Sequence, residues 1–151
     1  MAQTTGVINV SDLRVMVAAE NGTELIIDNL TDCSISISTE MKDTTTKNNA
    51  GYKDVLPGMH SATLSFSAYY ASDSTAGTGY NDLIDLQLAK TKLDVRFSHV
   101  IGSAAAENAG DERFQLKGYI TSLDLSGGTE DTSTFSCTMD IVETIVREVI
   151  A

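Results

Sequence analysis

A chain of 151 residues with 42% hydrophobic content is one domain of ordinary size, able to bury a core without disulfides or metals. Acids outnumber bases 21 to 10, for a net charge of −11, which argues against tight nucleic-acid binding because that affinity comes from Lys and Arg neutralising phosphates. No apolar run approaches the ~20 residues that cross a bilayer, and Met1-Ala-Gln-Thr-Thr-Gly6 has neither a basic nor an apolar leader region. The expectation is a protein made and used on the cytoplasmic side, with no membrane insertion.

Residues 1–11 carry little pattern beyond Val7, Ile8 and Val10 and read as an arm that is ordered only when something covers it. Leu13, Val15 and Val17 alternate, as do Leu25 and Ile27 after Glu20-Asn-Gly-Thr23. Asn-Gly between alternating apolar runs predicts a hairpin from about residue 12 to 27, with positive φ at both central residues. Asp28-Asn-Leu-Thr-Asp32 is a second turn, leading into a strand that begins at Cys33. There Cys33, Ile35, Ile37 and Thr39 point one way and Ser34, Ser36, Ser38 and Glu40 the other. From Met59 to Tyr70 the alternation returns, with Ala62, Leu64, Phe66 and Ala68 opposing Ser61, Thr63, Ser65 and Ser67.

Between these two strands runs a polar excursion from Lys42 to Gly58, longer than the roughly 12–15 residues beyond which structureless connections become uncommon. Tyr52, Val55 and Leu56 stand beside the one proline, Pro57, and such apolar points are foreign to a flexible linker. They suit contact with another subunit.

The small-residue stretch 71–79 precedes a predicted helix in which Tyr80, Leu83, Ile84 and Leu88 recur at helical spacing, with Asp82 and Asp85 early and Lys90 and Lys92 at the end. Leu93, Val95, Phe97 and His99 make a strand, and residues 102–110 a loop. Phe114, Leu116, Gly118 and Ile120 then oppose Gln115, Lys117, Tyr119 and Thr121, until Leu123 and Leu125 break the parity and predict a bulge near Ser122. After the turn 126–131, Phe135, Cys137, Met139 and Ile141 oppose Thr134, Ser136, Thr138 and Asp140. The tail from Val142 reads equally as strand or short helix.

One helix among about seven strands, with no βαβ alternation, predicts a mainly β, antiparallel sandwich or barrel with a flanking helix. Four strands, near 33–41, 59–70, 114–123 and 132–141, back an apolar face with a hydroxyl-rich one. By parity Ser36, Ser38, Thr63, Ser65, Thr121, Ser136 and Thr138 face away from the core, and they offer no fixed charge to grip a polyanion.

Thr44-Thr-Thr-Lys47, Gly51-Tyr-Lys-Asp54 and Leu56-Pro-Gly58, followed by a Ser/Thr-alternating strand, resemble the signature region of the phage major tail tube protein family, most of all the tubes of long non-contractile tails. The likeness is strong from Cys33 to Tyr70 and lies in element order beyond it. It implies a single tail tube domain over 1–151 and a protomer of hexameric rings stacked into the conduit for DNA ejection. Its implied partners are further copies of itself, then tail tip, tape measure and tail terminator proteins, with no cofactor. It also implies that the hydroxyl faces line the lumen, where DNA passes without adhering to an acidic or neutral wall. The excursion 42–58, with Thr44, Thr45, Thr46, Lys47, Tyr52, Lys53, Val55, Leu56 and Pro57, is the expected contact between rings.

An enzyme lacks its parts here: no phosphate loop, nucleophile elbow or metal-ligand spacing is present, and His60 and His99 read as packing or polar-contact residues. Cys33 and Cys137 fall on apolar strand faces and read as reduced core thiols. A ligand- or carbohydrate-binding β-sandwich is the competing reading. With no Trp and 6% aromatic residues its raw material is thin, leaving Tyr69, Tyr70 and Tyr80 as candidate contacts.

Overall fold

The computed structural model describes residues 13–27, 29–48, 50–71, 78–99 and 110–151. The arm expected over 1–11 and most of the stretches 71–79 and 102–110 lie outside the described residues. Eight strands and one helix follow in the order β1 (Leu13–Ala19), β2 (Leu25–Ile26), β3 (Leu30–Asp43), β4 (Val55–Tyr69), α1 (Tyr80–Leu88), β5 (Leu93–His99), β6 (Glu112–Ser126), β7 (Thr134–Ile141) and β8 (Val146–Val149). All ladders are antiparallel, in the sheet order β2-β1-β5-β6-β7-β4-β3, with β8 also on β6. The sheet curls, bringing β1 near β3, but it does not close on itself. The mainly β expectation therefore holds, with an open sheet in place of a barrel.

β6 joins two segments. Its first half pairs with β5 on one side and β8 on the other, and its second half, among the described residues, pairs with β7 alone. β7 and β8 lie end to end against β6, so the tail left open by periodicity is a strand. What decides it is non-local. Arg113 donates to Glu148 at 2.8 and 3.0 Å, Gln115 donates to the same carboxylate, and Arg147 pairs with Glu112.

The core follows the alternation. Leu64, Phe66 and Ala68 of β4, Phe135, Cys137 and Met139 of β7, Leu116 of β6, Val95 of β5 and Val15 and Val17 of β1 form one buried cluster. Each fully buried large side chain contributes about 1.5–3 kcal/mol. Gly118 is required where β6 meets β7, because a Cβ there would overlap the Asp140 carbonyl.

α1 lays Leu83 into this cluster, and Tyr80 stacks edge-on between Tyr70 and Phe135 at centroid distances of 5.7 and 5.6 Å. The helix is shorter than its pattern suggested. Gly79 is the N-cap, its amide held by Asp82, while Leu88 is exposed. Lys90 lies past the end with φ of 55°, its amide bonded to Gln87 while that of Thr91 reaches Leu86, the paired bonds of a Schellman stop. Lys92 pairs with Glu143 instead of serving the helix dipole.

Two turns also differ from expectation. In the first hairpin Asn21 has positive φ and Gly22 does not, and the connection from Ala19 to Leu25 is too long for a two-residue turn. The turn before β3 ends early, with Asn29 at φ 55° and the strand beginning at Leu30.

Candidate functional site

The registers of β3, β4, β7 and the second half of β6 align the hydroxyl positions in rows across four strands. Ser34, Ser65, Thr138 and Ser122 form one row, and Ser36, Thr63, Asp140 and Tyr119 the next. Asp32, Ser67, Ser136 and Asp124 form a third, while Ser38 meets Ser61 with their oxygens 2.7 Å apart. Ser36, Ser38, Thr63, Ser65, Ser136 and Thr138 thus share one face opposite the core, as parity required.

Thr121 behaves differently. It is the extra residue of the bulge between Ile120 and Ser122, exposed, and its hydroxyl donates to the Thr138 carbonyl at 3.1 Å. Beyond the bulge Ser122, Asp124 and Ser126 continue the polar face, and Leu123 turns to the core. Ser122 is the row residue that parity alone missed; the signal was the shift of apolar residues to Leu123 and Leu125.

These rows hold Asp32, Asp124 and Asp140 and no Lys or Arg. Past Tyr119 the same face of the sheet changes character: Lys117 lies 3.6 and 3.7 Å from Asp94 and Glu20, and Arg96 pairs with Glu24 at 2.8 Å. The hydroxyl field is therefore confined to four strands, about 19 Å wide at ordinary strand spacing.

Among the described residues both outer edges of that field are open: β3 pairs with β4 alone, and residues 119–126 of β6 pair with β7 alone. The two edges run in opposite directions, because three antiparallel ladders separate them. A second copy placed edge to edge would therefore continue the sheet in the antiparallel sense.

The excursion 42–58 is only partly a loop. β3 runs on to Asp43 and β4 starts at Val55, so the true connection is 44–54 and the rest is a two-stranded ribbon extending past the end of β7 at Ile141. Within this arm Val55, Leu56 and Pro57 lie on β4 opposite Asp43, Lys42 and Met41. Pro57 is tolerated because no strand among the described residues lies on its other side there.

The loop is closed by Thr45, whose hydroxyl donates to the Asp54 carbonyl and accepts the Asp54 amide, while its own amide bonds the Asp43 carboxylate. The Thr45 hydroxyl and amide beside it hold the Asp43 carboxyl below its ordinary pKa. Thr44 donates its amide to Asp54, and Ala50 and Gly51 at the tip both have positive φ.

The arm is bare: Tyr52 is 79% exposed, and Met41 and Leu56 are also exposed, as are Ile37 and Met59 at its base. Thr46, Lys47 and Lys53 are exposed as well. Lys42, Lys47 and Lys53 have no acidic partner among the described residues, whereas Lys92, Arg96, Arg113, Lys117 and Arg147 are all paired.

Remaining candidates are structural. His60 is hydrogen-bonded through Nδ1 to Thr39 at 2.8 Å, and the His99 side chain lies outside the described residues. Cys33 and Cys137 are free thiols on the core face, with Phe66 of β4 between them. Two strand spacings of about 4.8 Å exceed the ~7 Å over which two Cα atoms can be bridged. Burial pushes the Cys137 thiol up to about 12 and raises that of Cys33 too. Of the tyrosines considered for sugars, Tyr70 and Tyr80 are committed to the core, and Tyr69 is exposed. Among the described residues no cluster of metal-ligating side chains occurs and no helix is long and apolar enough to cross a membrane.

A curled antiparallel sheet with two open edges, a hydroxyl field free of Lys and Arg and a bare projecting arm is the build of a subunit made for association. The family model described as phage tail tube protein matches residues 11–147, and the chain belongs to that family. It is a structural protein of the virion tail tube. No curated protein sequence matches it.

Among solved structures it is similar to a chain of the native gene transfer agent virion, with TM-score 0.72 and 16% identity over 95% of this chain and 100% of that one. It is also similar to a chain of the empty gene transfer agent tail refined with C6 symmetry (0.68, 20% identity, 96% and 100%). A third likeness is to the SPP1 tail tube (0.73, 12% identity, 96% and 81%). At these identities the likeness is one of fold.

Proposed function

We propose that this protein, as a single tail tube domain over 1–151, forms hexameric rings that stack into the tube through which DNA is ejected into the host. The observation that carries the reading is the four-stranded hydroxyl field with both flanking edges open and antiparallel to each other. Six copies joined edge to edge give 24 strands and, at about 4.8 Å each, a circumference of about 115 Å, hence an inner backbone diameter of about 37 Å before strand tilt widens it. Closure also removes the open edges that would otherwise template aggregation. The C6 symmetry of the gene transfer agent tail supports the copy number.

In such a ring Ser36, Ser38, Thr63, Ser65, Ser122, Ser136 and Thr138 face the lumen, with the exposed bulge residue Thr121 beside Ser122. Asp32, Asp124 and Asp140 make the wall acidic, and like charge keeps phosphates from adhering. The segment 42–58 reaches the next ring. The subunits are made and assembled in the host cytoplasm, and tail tip, tape measure and tail terminator proteins complete the tail. The carbohydrate-binding reading has no comparable support, since it has lost Tyr70 and Tyr80 to the core.

The test is sizing by light scattering as concentration rises. The tube reading expects growth from monomer to rings and then to long particles, with the acceleration of a nucleated process. A particle that stays at the mass of one chain at every concentration, even with a tail tip added as initiator, contradicts it.

A further inference from the structure

The two ends of the four-stranded field differ in charge. At one end the arm, residues 41–58, carries Lys42, Lys47 and Lys53 against Asp43 and Asp54 in a chain that is otherwise strongly acidic. At the other, β4 ends at Tyr69, β7 starts at Thr134 and β6 ends at Ser126, in mutual register. The turn joining β6 to β7 there borders an open polar hollow of about 410 Å³, lined by Tyr69, Ser126, Gly128, Asp131 and Thr134 among others.

Asp32, Asp124, Glu130 and Asp131 all lie at that end, no Lys or Arg occurs within 122–136 or 65–71, and none of the four acids forms an ion pair among the described residues. Exposed Tyr69 and Leu125 give this end apolar points to match Tyr52 and Leu56 of the arm.

We infer that this hollow, lined by Asp131, and the acidic turn residue Glu130 next to it are the receptor for the arm of a second copy, so that Lys47 and Lys53 of one ring dock against Glu130 and Asp131 of the next. The contact is head to tail: two different surfaces meet, and each copy keeps a free arm and a free receptor for further growth. β4 spans roughly 45–50 Å from one surface to the other, so no chain can satisfy its own receptor. This inference rests on the tube reading and adds the surface on which the arm lands.

The test uses the full chain in three forms: Lys47→Glu with Lys53→Glu, Glu130→Lys with Asp131→Lys, and all four together. All four positions are exposed, so circular dichroism and melting should match the unaltered protein. Each two-site variant alone should associate ring on ring on the order of a hundredfold more weakly, because several exposed ion pairs per ring turn repulsive. The four-site variant, and an equimolar mixture of the two two-site variants, should again make long tubes. The unaltered protein should elongate more slowly as sodium chloride is raised, through screening.

Tubes of normal length from either two-site variant alone overturn the inference, as does failure of both the four-site variant and the mixture to recover. If a variant misfolds, salt-insensitive elongation of the unaltered protein overturns it by itself. Unaltered protein that never forms tubes defeats the tube reading instead.

Discussion

Replacing residues 44–54 by a short Gly/Ser turn should leave the protein folded and abolish tube formation. In the protomer the connection does little: its described side chains are mostly exposed, and its bonds include those of Thr45 and Thr44 to Asp43 and Asp54. Exposed hydrogen bonds of this kind contribute about 0.5–1.5 kcal/mol each. Shortening the connection from eleven residues to about four returns about 0.9 kcal/mol of closure entropy. The melting temperature should therefore move by only a few degrees, and circular dichroism should be unchanged. Assembly loses Tyr52, Lys47 and Lys53 from every subunit at once, so sedimentation should show rings at most. Tubes of normal length from the shortened protein would mean that the arm is not the contact between rings.

Lysine at Ser65 or Ser136 should be tolerated in folding and tube assembly yet slow DNA release. Ser65 lies between Ser34 and Thr138, and Ser136 between Ser67 and Asp124. Neither position faces the core, so the stability change should stay within about 0.5 kcal/mol. In rings stacked many times each substitution adds columns of positive charge to a wall that otherwise holds aspartates. Phosphates then bind as counterions leave, an attraction that falls steeply with salt. Ejection from particles carrying either variant should be slow at low ionic strength and approach the normal rate at high. Unchanged kinetics from intact tubes would place these residues outside the lumen, and failure to fold would place them in the core.

Strand parity was enough to orient Leu64, Phe66, Phe135, Cys137 and Met139, because a sheet buried on one face forces period two on its residues. It stopped being enough where a partner decides the outcome. At Thr121 the break in alternation was visible, but which hydroxyl joins the row depends on the register with Thr138. At 41–43 and 55–57 both faces of a two-stranded ribbon meet solvent, so Lys42, Asp43 and Pro57 show no alternation, and a ribbon reads as a loop. At 146–149 the strand is settled by Arg113 and Glu112, more than thirty residues away. Lys90 fooled the helix-end reading because a lysine occupies the left-handed stop usually given to glycine. The arm's composition pointed to a subunit contact; its receptor, assembled from three strand ends, was not legible in sequence.

The most direct test of the whole account is a helical reconstruction, by electron cryomicroscopy, of tubes grown from the purified protein. The account predicts six subunits per ring, β3 of each hydrogen-bonded to residues 119–126 of β6 in its neighbour, and Ser65, Thr138 and Ser136 on the wall of an open central channel. A tube with these residues on its outer surface, or rings joined through any other edges, would contradict it.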